Sequence, residues 1–143
     1  MNHVGVNYAS LREENHPIFN TILSMMKEQE IGIKIERTWG HYKVLYEGKG
    51  FKVKELVISP HSSLSKQKHQ HRTETWNIVK GECSVLINDE TIQLTQDKGI
   101  FIPKNTWHKG INNADNPAHI IEIWRGKSVL LTEEDIERKR LVM

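Results

Sequence analysis

The stretch from Gln67 to Glu74 reads Gln-Lys-His-Gln-His-Arg-Thr-Glu and gathers amide, imidazole and carboxylate groups in one short run. Along an extended strand, Gln67, His69 and His71 lie on one face, because successive side chains alternate between the two faces. Glu74 comes after a turn, at the start of the next strand, where its side chain can approach those of Gln67 and His69. Groups of these types are the usual ligands of a metal bound through nitrogen and oxygen atoms.

A second group of polar residues runs from Pro103 to His108 and is followed by Asn112. It places His108 at the start of a later strand. Imidazole nitrogens, a carboxylate and an amide oxygen that point into one barrel form a mixed metal site. The simpler alternative is a set of hydrogen-bonded polar side chains that holds no metal.

From Ile33 onward, apolar residues recur with the two-residue period of β-strands. Gly, Pro, Asn and Asp residues mark turns between these runs. Many short strands at regular spacing predict an all-β fold, a closed antiparallel barrel or jelly roll, which leaves no exposed strand edge. The predicted strands are Tyr42–Tyr46, Phe51–Ile58, Trp76–Val79, Cys83–Ile87, Thr91–Leu94, Ile100–Ile102 and His119–Trp124.

Two short helices are predicted to flank the strands. Pro17 suits the first position of a helix, and an apolar stripe at helical spacing follows it, which predicts a helix over residues 17–30. Thr132 is a good N-cap, and Asp135 can complete a capping box, which predicts a second helix over residues 132–140. The apolar stripe of the first helix comprises Ile18, Phe19, Ile22, Leu23, Met25 and Met26.

The chain has 143 residues, enough for one barrel domain, which we expect over residues 33–143 after an arm and helix over residues 1–32. Lys and Arg number 20 against 18 for Asp and Glu, so the net charge of +2 argues against a nucleic-acid partner. Cys83 is the single cysteine, which excludes an internal disulfide and favours the cytoplasm. The sequence has no secretory signal at its N-terminus and no apolar run of the ~20 residues that a membrane helix needs. We therefore expect a cytoplasmic protein without a membrane partner.

The first polar cluster resembles the first motif of the cupin superfamily, G(X)5HXH(X)3,4E(X)6G. His61 stands at the opening glycine, Gln67 at the first histidine and His69 at the second. Glu74 matches the glutamate of the motif, and Gly81 matches its closing glycine. The resemblance implies the double-stranded β-helix of cupins, which is a jelly-roll barrel.

The second polar cluster resembles the second cupin motif, G(X)5PXG(X)2H(X)3N. Pro103, His108 and Asn112 match this motif in register, while Asp97 and Asn105 stand at its two glycines. An asparagine tolerates the left-handed backbone conformation that glycine would supply, so the replacement by Asn105 is a mild departure.

Further segments resemble one cupin branch, the cupin part of type II mannose-6-phosphate isomerases, which is often joined to a mannose-1-phosphate guanylyltransferase. In that branch a glutamine replaces the first histidine of the motif, as Gln67 does here. The resemblance covers the chain from Arg37 to about Arg138. The matching segments are Arg37–Tyr42 (RTWGHY), Phe51–Leu56 (FKVKEL), Ser65–Trp76 (SKQKHQHRTETW) and Leu131–Ile136 (LTEEDI).

This resemblance implies a metal-dependent phosphosugar isomerase of polysaccharide biosynthesis that converts mannose 6-phosphate to fructose 6-phosphate. The implied ligands of one divalent ion are Gln67, His69, Glu74 and His108. Zinc is the first candidate, and manganese, iron, cobalt and nickel remain open. The ion would polarise the sugar carbonyl while a neighbouring base moves a proton.

Roles beyond the metal are assigned to five further residues. His71 is the candidate base, and Arg72 in the metal-site turn is the candidate catalytic cation. Arg125 and Lys54 are candidate phosphate contacts, and Trp107 is expected to line the mouth of the site. We also expect a homodimer, because the apolar stripe of the first predicted helix needs a surface to bury against.

Two other functions stay open beside the isomerase. His69, Glu74 and His108 form a set of two histidines and one carboxylate, which suits non-haem iron and oxygen chemistry. The other alternative is a non-catalytic module that binds a sugar phosphate or a sugar nucleotide. The Tyr-Gly-Arg ending of the branch has no counterpart in Arg140–Met143, and we do not expect the preceding transferase domain in this sequence. Both departures favour the module.

Overall fold

The computed structural model describes residues 31–139 and the single position Ile18, which is helical. The helix predicted over residues 17–30 otherwise lies outside the described residues. The chain divides into two compact units, Met1–Ile33 and Lys34–Met143. The strands described below all belong to the second unit.

Twelve strands are present within the described residues. They are β1 (Ile35–Arg37), β2 (Gly40–Gly48), β3 (Phe51–Ile58), β4 (Ser62–Ser63), β5 (Gln67–Lys68), β6 (Arg72–Lys80), β7 (Cys83–Ile87), β8 (Glu90–Leu94), β9 (Gly99–Ile102), β10 (His108–Asn112), β11 (Ala118–Gly126) and β12 (Glu137–Arg138). The first sheet has the order β1-β2-β3-β11-β6-β9, and the second has the order β12-β5-β10-β7-β8, with β4 also paired to β10. The pairings within both sheets are antiparallel, which confirms the predicted all-β fold.

The strand bounds match the two-residue apolar pattern in some strands and exceed it in others. Strands β3 and β7 have the predicted bounds. Strand β6 begins at Arg72 rather than at Trp76, and β11 continues past Trp124 to Gly126. Both strands include buried polar residues, so the apolar pattern covers only part of each strand.

The extended strand expected from Gln67 to His71 ends early. Strand β5 stops at Lys68, and the chain then bends before β6 begins. His69 is buried while His71 is only partly buried. The expectation that these two histidines share a strand face is therefore wrong, because they lie in a loop.

The apolar core lies between the two sheets. Ile78 and Ile120 come from the first sheet, Val85 comes from the second, and all three are fully buried in one cluster. Side chains alternate along each strand, so every second one points into the barrel. The inward positions beyond the apolar cluster lie nearer one end of the barrel.

Toward that end, the inward side chains of the first sheet become charged. On β11, Ile120 is followed inward by Glu122, which stands opposite Lys54 of β3 and Trp76 of β6. Lys54 and Glu122 are each 4% exposed. The register of three neighbouring strands thus gathers ionisable groups at one end of the interior.

The helix predicted over residues 132–140 is wrong. Ser128–Leu130 forms a single 3-10 turn, and the chain then runs without a helix to β12, which pairs with β5. The Asp135 carboxylate accepts hydrogen bonds from the backbone nitrogens of Gln70 and His71 instead of capping its own segment. The carboxylate that a local capping box would use is therefore hydrogen-bonded to a distant part of the chain.

Two further observations concern the described residues as a whole. None of their helices is long and apolar enough to cross a membrane. Cys83 is a buried free thiol in β7. The homodimer, the cytoplasmic location and the absence of a nucleic-acid partner stay predictions.

Candidate metal centre

Three potential ligands converge at the charged end of the barrel. His69 follows β5, Glu74 lies on β6 and His108 is the first residue of β10. One ligand atom from each lies within 4.8 Å of those of the other two. The Glu74 carboxylate lies between the imidazoles, with Oε2 3.1 Å from Nε2 of His69 and Oε1 3.7 Å from Nε2 of His108.

Backbone carbonyls orient both imidazole rings. Nδ1 of His69 donates to the carbonyl oxygen of Asp135 at 2.7 Å, and Nδ1 of His108 donates to that of Thr106 at 2.9 Å. Because a carbonyl oxygen can only accept, each ring carries its proton on Nδ1 and presents the lone pair of Nε2 to the interior. Carbonyl bonds of this kind commonly hold metal-ligating histidines.

Nε2 of His108 is a buried atom without a hydrogen-bond partner among the described residues. A buried polar atom is normally hydrogen-bonded, and an unpaired one calls for an explanation. A cation held by the two Nε2 atoms and the Glu74 carboxylate would give His108 the missing partner, whereas His69 and Glu74 already contact the Arg72 guanidinium. Two imidazole nitrogens and one carboxylate therefore fit a divalent ion such as zinc, manganese or iron.

Charges within the site keep the ligands in their metal-binding forms. Burial, assisted by the positive charge of Arg72, lowers the pKa of His69 to about 4, so the ring is neutral at pH 7. Burial alone would raise the pKa of Glu74, but Arg72 and the two histidines hold that pKa well below its usual range. Nε of Arg72 donates to Oε2 of Glu74 at 2.7 Å, so the carboxylate is ionised and held in place.

Of the three ligands, Glu74 lines a cavity of about 970 Å³. Seven of its lining side chains are cationic and three are carboxylates. The cations are Arg37, Lys54, Lys66, Arg72, Lys109, Arg138 and Lys139, and the aromatic side chains are Trp39, Tyr42, Trp76 and Trp124. An excess of positive charge beside a metal site is suited to an anionic ligand.

Lys54 is a buried cation with aromatic and acidic neighbours. Its Nζ lies 3.9 Å from the centre of the Tyr42 ring and 4.3 Å from that of Trp124. The same Nζ donates to Oε2 of Glu133 at 2.9 Å, and the Glu133 side chain is 42% exposed. The ammonium group is thus desolvated on its aromatic side and paired with a carboxylate that reaches solvent.

Glu122 is a site residue that sequence reasoning missed. It accepts a hydrogen bond from Nε1 of Trp124 at 2.7 Å. Burial and the charge of Glu74 raise the pKa of Glu122 to about 8, against the opposing effect of Lys54. The sequence offered one signal that Glu122 is buried: it lies two residues before Trp124, so both side chains share the inward face of β11.

Besides Glu74, three predicted site residues line the cavity: Lys54, Arg72 and Gln67. The side-chain nitrogen of Gln67 donates to the backbone oxygen of Ser65 at 3.2 Å, which leaves the amide oxygen as its potential ligand atom. Its backbone stands opposite His108 in the ladder between β5 and β10. The assignment of Gln67 as a fourth metal ligand stays a prediction.

The other three predicted site residues lie away from this cavity. His71 lines a separate depression of about 430 Å³. Arg125 is exposed on β11. Trp107 packs under two lysine ammonium groups, with Nζ of Lys68 4.9 Å and Nζ of Lys139 5.8 Å from its ring centre.

Two antiparallel sheets that enclose a His–Glu–His cluster at one end of the interior define the chain as a cupin. A solved sugar phosphate isomerase of the cupin superfamily from Silicibacter pomeroyi has this fold, with a TM-score of 0.56 and 14% identity. The alignment covers 59% of this chain and 58% of that one. At this identity the likeness concerns the fold alone.

The chain belongs to the family described as Mannose-6-phosphate isomerase C-terminal, whose sequence profile matches residues 24–140. The alginate biosynthesis protein AlgA of Pseudomonas aeruginosa is 37% identical over 105 residues, which are 73% of this chain and 21% of that protein. A mannose-1-phosphate guanylyltransferase of Salmonella muenchen is 32% identical over 111 residues, which are 78% of this chain and 23% of that protein. The chain thus spans less than a quarter of the length of either relative.

The names of these relatives overturn one expectation. The prediction that the chain is a mannose-6-phosphate isomerase is wrong, because the relatives are named for polysaccharide biosynthesis and for guanylyl transfer to mannose 1-phosphate. The resemblance to the cupin branch itself is confirmed by the family match.

Proposed function

We propose that this chain is a metal-binding cupin domain that serves guanylyl transfer to mannose 1-phosphate in polysaccharide biosynthesis. The observation that carries the proposal is the buried cluster of His69, Glu74 and His108 beside a cavity rich in cationic side chains. The substrate class comes from the names of the relatives. Fold alone would leave the function open, because cupins serve many functions.

In this proposal, His69, Glu74 and His108 hold one divalent ion, with Gln67 as the fourth ligand. When bound, the ion supplies Lewis-acid stabilisation of negative charge on a phosphate oxygen. Arg72 keeps Glu74 ionised through its bond at 2.7 Å, so the site is ready to accept the ion. Zinc is the first candidate because imidazole and carboxylate ligands suit it.

The cations of the cavity bind the phosphate groups of the ligand. Lys54 is 4% exposed, so the charge of its ammonium group is little screened by solvent. Lys66 and Lys109 line the same cavity and attract anions to it. Mannose 1-phosphate, GTP and GDP-mannose share the phosphate chemistry that such a cavity recognises, and Trp39 and Tyr42 offer apolar faces for a sugar or base.

Calorimetry on purified protein tests this proposal. Protein treated with a chelator is titrated with zinc and with manganese, and the loaded protein is titrated with mannose 1-phosphate and with GDP-mannose. We expect one metal equivalent per chain and ligand binding that chelation abolishes. Inorganic phosphate and glucose 1-phosphate are the matched controls.

Two outcomes would overturn the proposal. Failure to bind either metal would remove the metal centre. Equal binding of mannose 1-phosphate, glucose 1-phosphate and inorganic phosphate would leave a general anion site and remove the assignment to mannose metabolism. A parallel assay for GDP-mannose formation from GTP and mannose 1-phosphate shows whether the chain also takes part in turnover.

A further inference from the structure

We propose that Asp135 is a positioning residue that aims His69 into the metal centre. Its carboxylate accepts a hydrogen bond from the backbone nitrogen of Gln70 at 3.0 Å and another from that of His71 at 2.9 Å. Its backbone oxygen accepts from Nδ1 of His69 at 2.7 Å. Asp135 therefore contacts three consecutive residues of the metal loop, His69 to His71. The inference rests on the proposed metal site.

The metal loop needs such a partner because it leaves the sheet at this point. Strand β5 ends at Lys68 and β6 begins at Arg72, so the intervening backbone groups have no strand partners in the ladders. The carbonyl of His69 accepts from the backbone nitrogen of Asn105 at 2.7 Å. The Asp135 carboxylate takes the two following backbone nitrogens, and charge-assisted bonds of this kind are stronger than neutral ones.

The same contacts decide which nitrogen of His69 faces the ion. The Asp135 carbonyl holds the proton on Nδ1, which leaves the lone pair of Nε2 pointing at Glu74, 3.1 Å away. Nη2 of Arg72 lies 3.2 Å from the same Nε2, and because a guanidinium can only donate, it favours the same tautomer of His69. Partners that orient a ligating histidine typically change metal affinity by ~10–100-fold when they are removed.

The segment around Asp135 is anchored independently of its side chain. Strand β12 pairs Glu137 with Lys68, and the backbone nitrogen of Lys139 donates to the carbonyl of Lys66 at 2.9 Å. Arg72 also donates to the carbonyl of Thr132 at 3.2 Å. A change confined to the Asp135 carboxylate is therefore expected to loosen the metal loop while the segment stays attached to the sheet.

The experiment compares wild type with Asp135→Ala, Asp135→Asn and Glu134→Gln. Glu134 is the matched control, since it is an exposed carboxylate next to Asp135 and its replacement removes the same charge. Zinc affinity is measured by calorimetry on each chelator-treated protein. Nitrogen-15 NMR of the histidine rings in the metal-free proteins reports the tautomer of His69 at a fixed pH.

Asp135→Ala keeps the backbone carbonyl but releases the backbone nitrogens of Gln70 and His71. We expect the loosened loop to shift His69 relative to that carbonyl, which should lower zinc affinity by ~10–100-fold and give a mixture of His69 tautomers. Asp135→Asn keeps one acceptor oxygen and should fall between Asp135→Ala and wild type. Glu134→Gln should retain the wild-type affinity within about twofold and keep the Nδ1-protonated ring. If Asp135→Ala fails to fold, judged by circular dichroism, Asp135→Asn supplies the comparison.

Wild-type affinity and an unchanged His69 tautomer in both Asp135 variants would overturn the inference. An equal loss in Glu134→Gln would also overturn it, because charge alone would then explain the effect. If wild type binds no zinc, the proposed function fails, and the tautomer comparison in metal-free protein still decides whether Asp135 orients His69.

Discussion

At the residue scale, three residues that stand at glycine positions of the cupin motifs have the backbone conformation that glycine usually supplies. His61, Asp97 and Asn105 have φ values of 53°, 71° and 55°, close to the 83° of Gly81. All four stand at glycine positions of the cupin motifs. Asp and Asn tolerate this left-handed region because their short polar side chains bond locally. His61 bonds Asp115, with Nε2 2.7 Å from Oδ1. The turns are therefore retained although the glycines are replaced.

This conformation makes Asp97 sensitive to the shape of its replacement. We expect Asp97→Gly to keep the free energy of unfolding within about 0.5 kcal/mol of wild type. Asp97→Val should lose about 1–2 kcal/mol, because a branched Cβ in the left-handed region meets the following carbonyl. Urea unfolding followed by circular dichroism measures both. Lys98→Val, at an exposed neighbour without a positive φ, is the control. A stable Asp97→Val would contradict the expected strain.

How much of the site could be predicted depends on sequence distance. His69 and Glu74 lie within one motif, and His108 lies at a fixed position in the next, so their convergence could be predicted. Asp135 is 64 to 66 residues along the chain from the metal-loop residues that it contacts. Only the folded chain brings them together. Glu122 shares the inward alternation of Ile120 and Trp124 on β11, a local signal that it is buried, but the raised pKa of its carboxyl depends on Glu74 of another strand.

At the element scale, β3 and β7 could be predicted because apolar residues recur along the whole of each strand, although two inward residues of β3, Lys52 and Lys54, are charged. The bounds of β7 were predicted, whereas β6 was predicted short because its first inward residues, Arg72 and Glu74, are charged. The C-terminal segment was predicted as a helix because its capping residues are local signals. In the fold those residues bond the metal loop instead, and tertiary contacts override such local propensity. The apolar pattern therefore predicts secondary structure least well at the end of the barrel that holds the candidate metal centre.

The ion pair between Lys54 and Glu133 joins β3 to the C-terminal segment and should compete with the ligand. A phosphate that reaches Lys54 must replace the Glu133 carboxylate, which lies 2.9 Å from Nζ. We expect Glu133→Gln to strengthen the binding of mannose 1-phosphate severalfold. Lys54→Met should weaken that binding by about tenfold or more, since a hydrogen bond to a charged group contributes about 1.5–3 kcal/mol.

Calorimetry on metal-loaded variants measures these changes, and Glu134→Gln is the control for loss of a nearby negative charge. Unchanged affinity in Lys54→Met would show that the phosphate lies elsewhere in the cavity. Weaker binding in Glu133→Gln would mean that Glu133 contacts the ligand rather than competing with it.

At the scale of the whole molecule, the candidate metal centre links the two sheets. Glu74 belongs to the first sheet through β6, and His108 belongs to the second through β10. His69 lies in the loop that runs from β5 of the second sheet to β6 of the first. The apolar core holds the sheets together elsewhere in the interior, so an ion at the charged end would add a second connection between them.

Metal binding should therefore stabilise the entire fold. When free zinc exceeds the dissociation constant about 100-fold, a ligand that binds only the folded state raises the free energy of unfolding by about 2.7 kcal/mol. We expect this increase for wild type and for His61→Ala, because the His61 side chain is 63% exposed and lies outside the ligand cluster. His108→Ala should show little or no increase, because it removes one of the three ligands. Urea unfolding with zinc and with chelator gives the difference for each protein, so any loss of stability in the metal-free variants cancels. If zinc stabilised His108→Ala as much as wild type, or failed to stabilise His61→Ala, the ion would not be held by the residues that join the sheets.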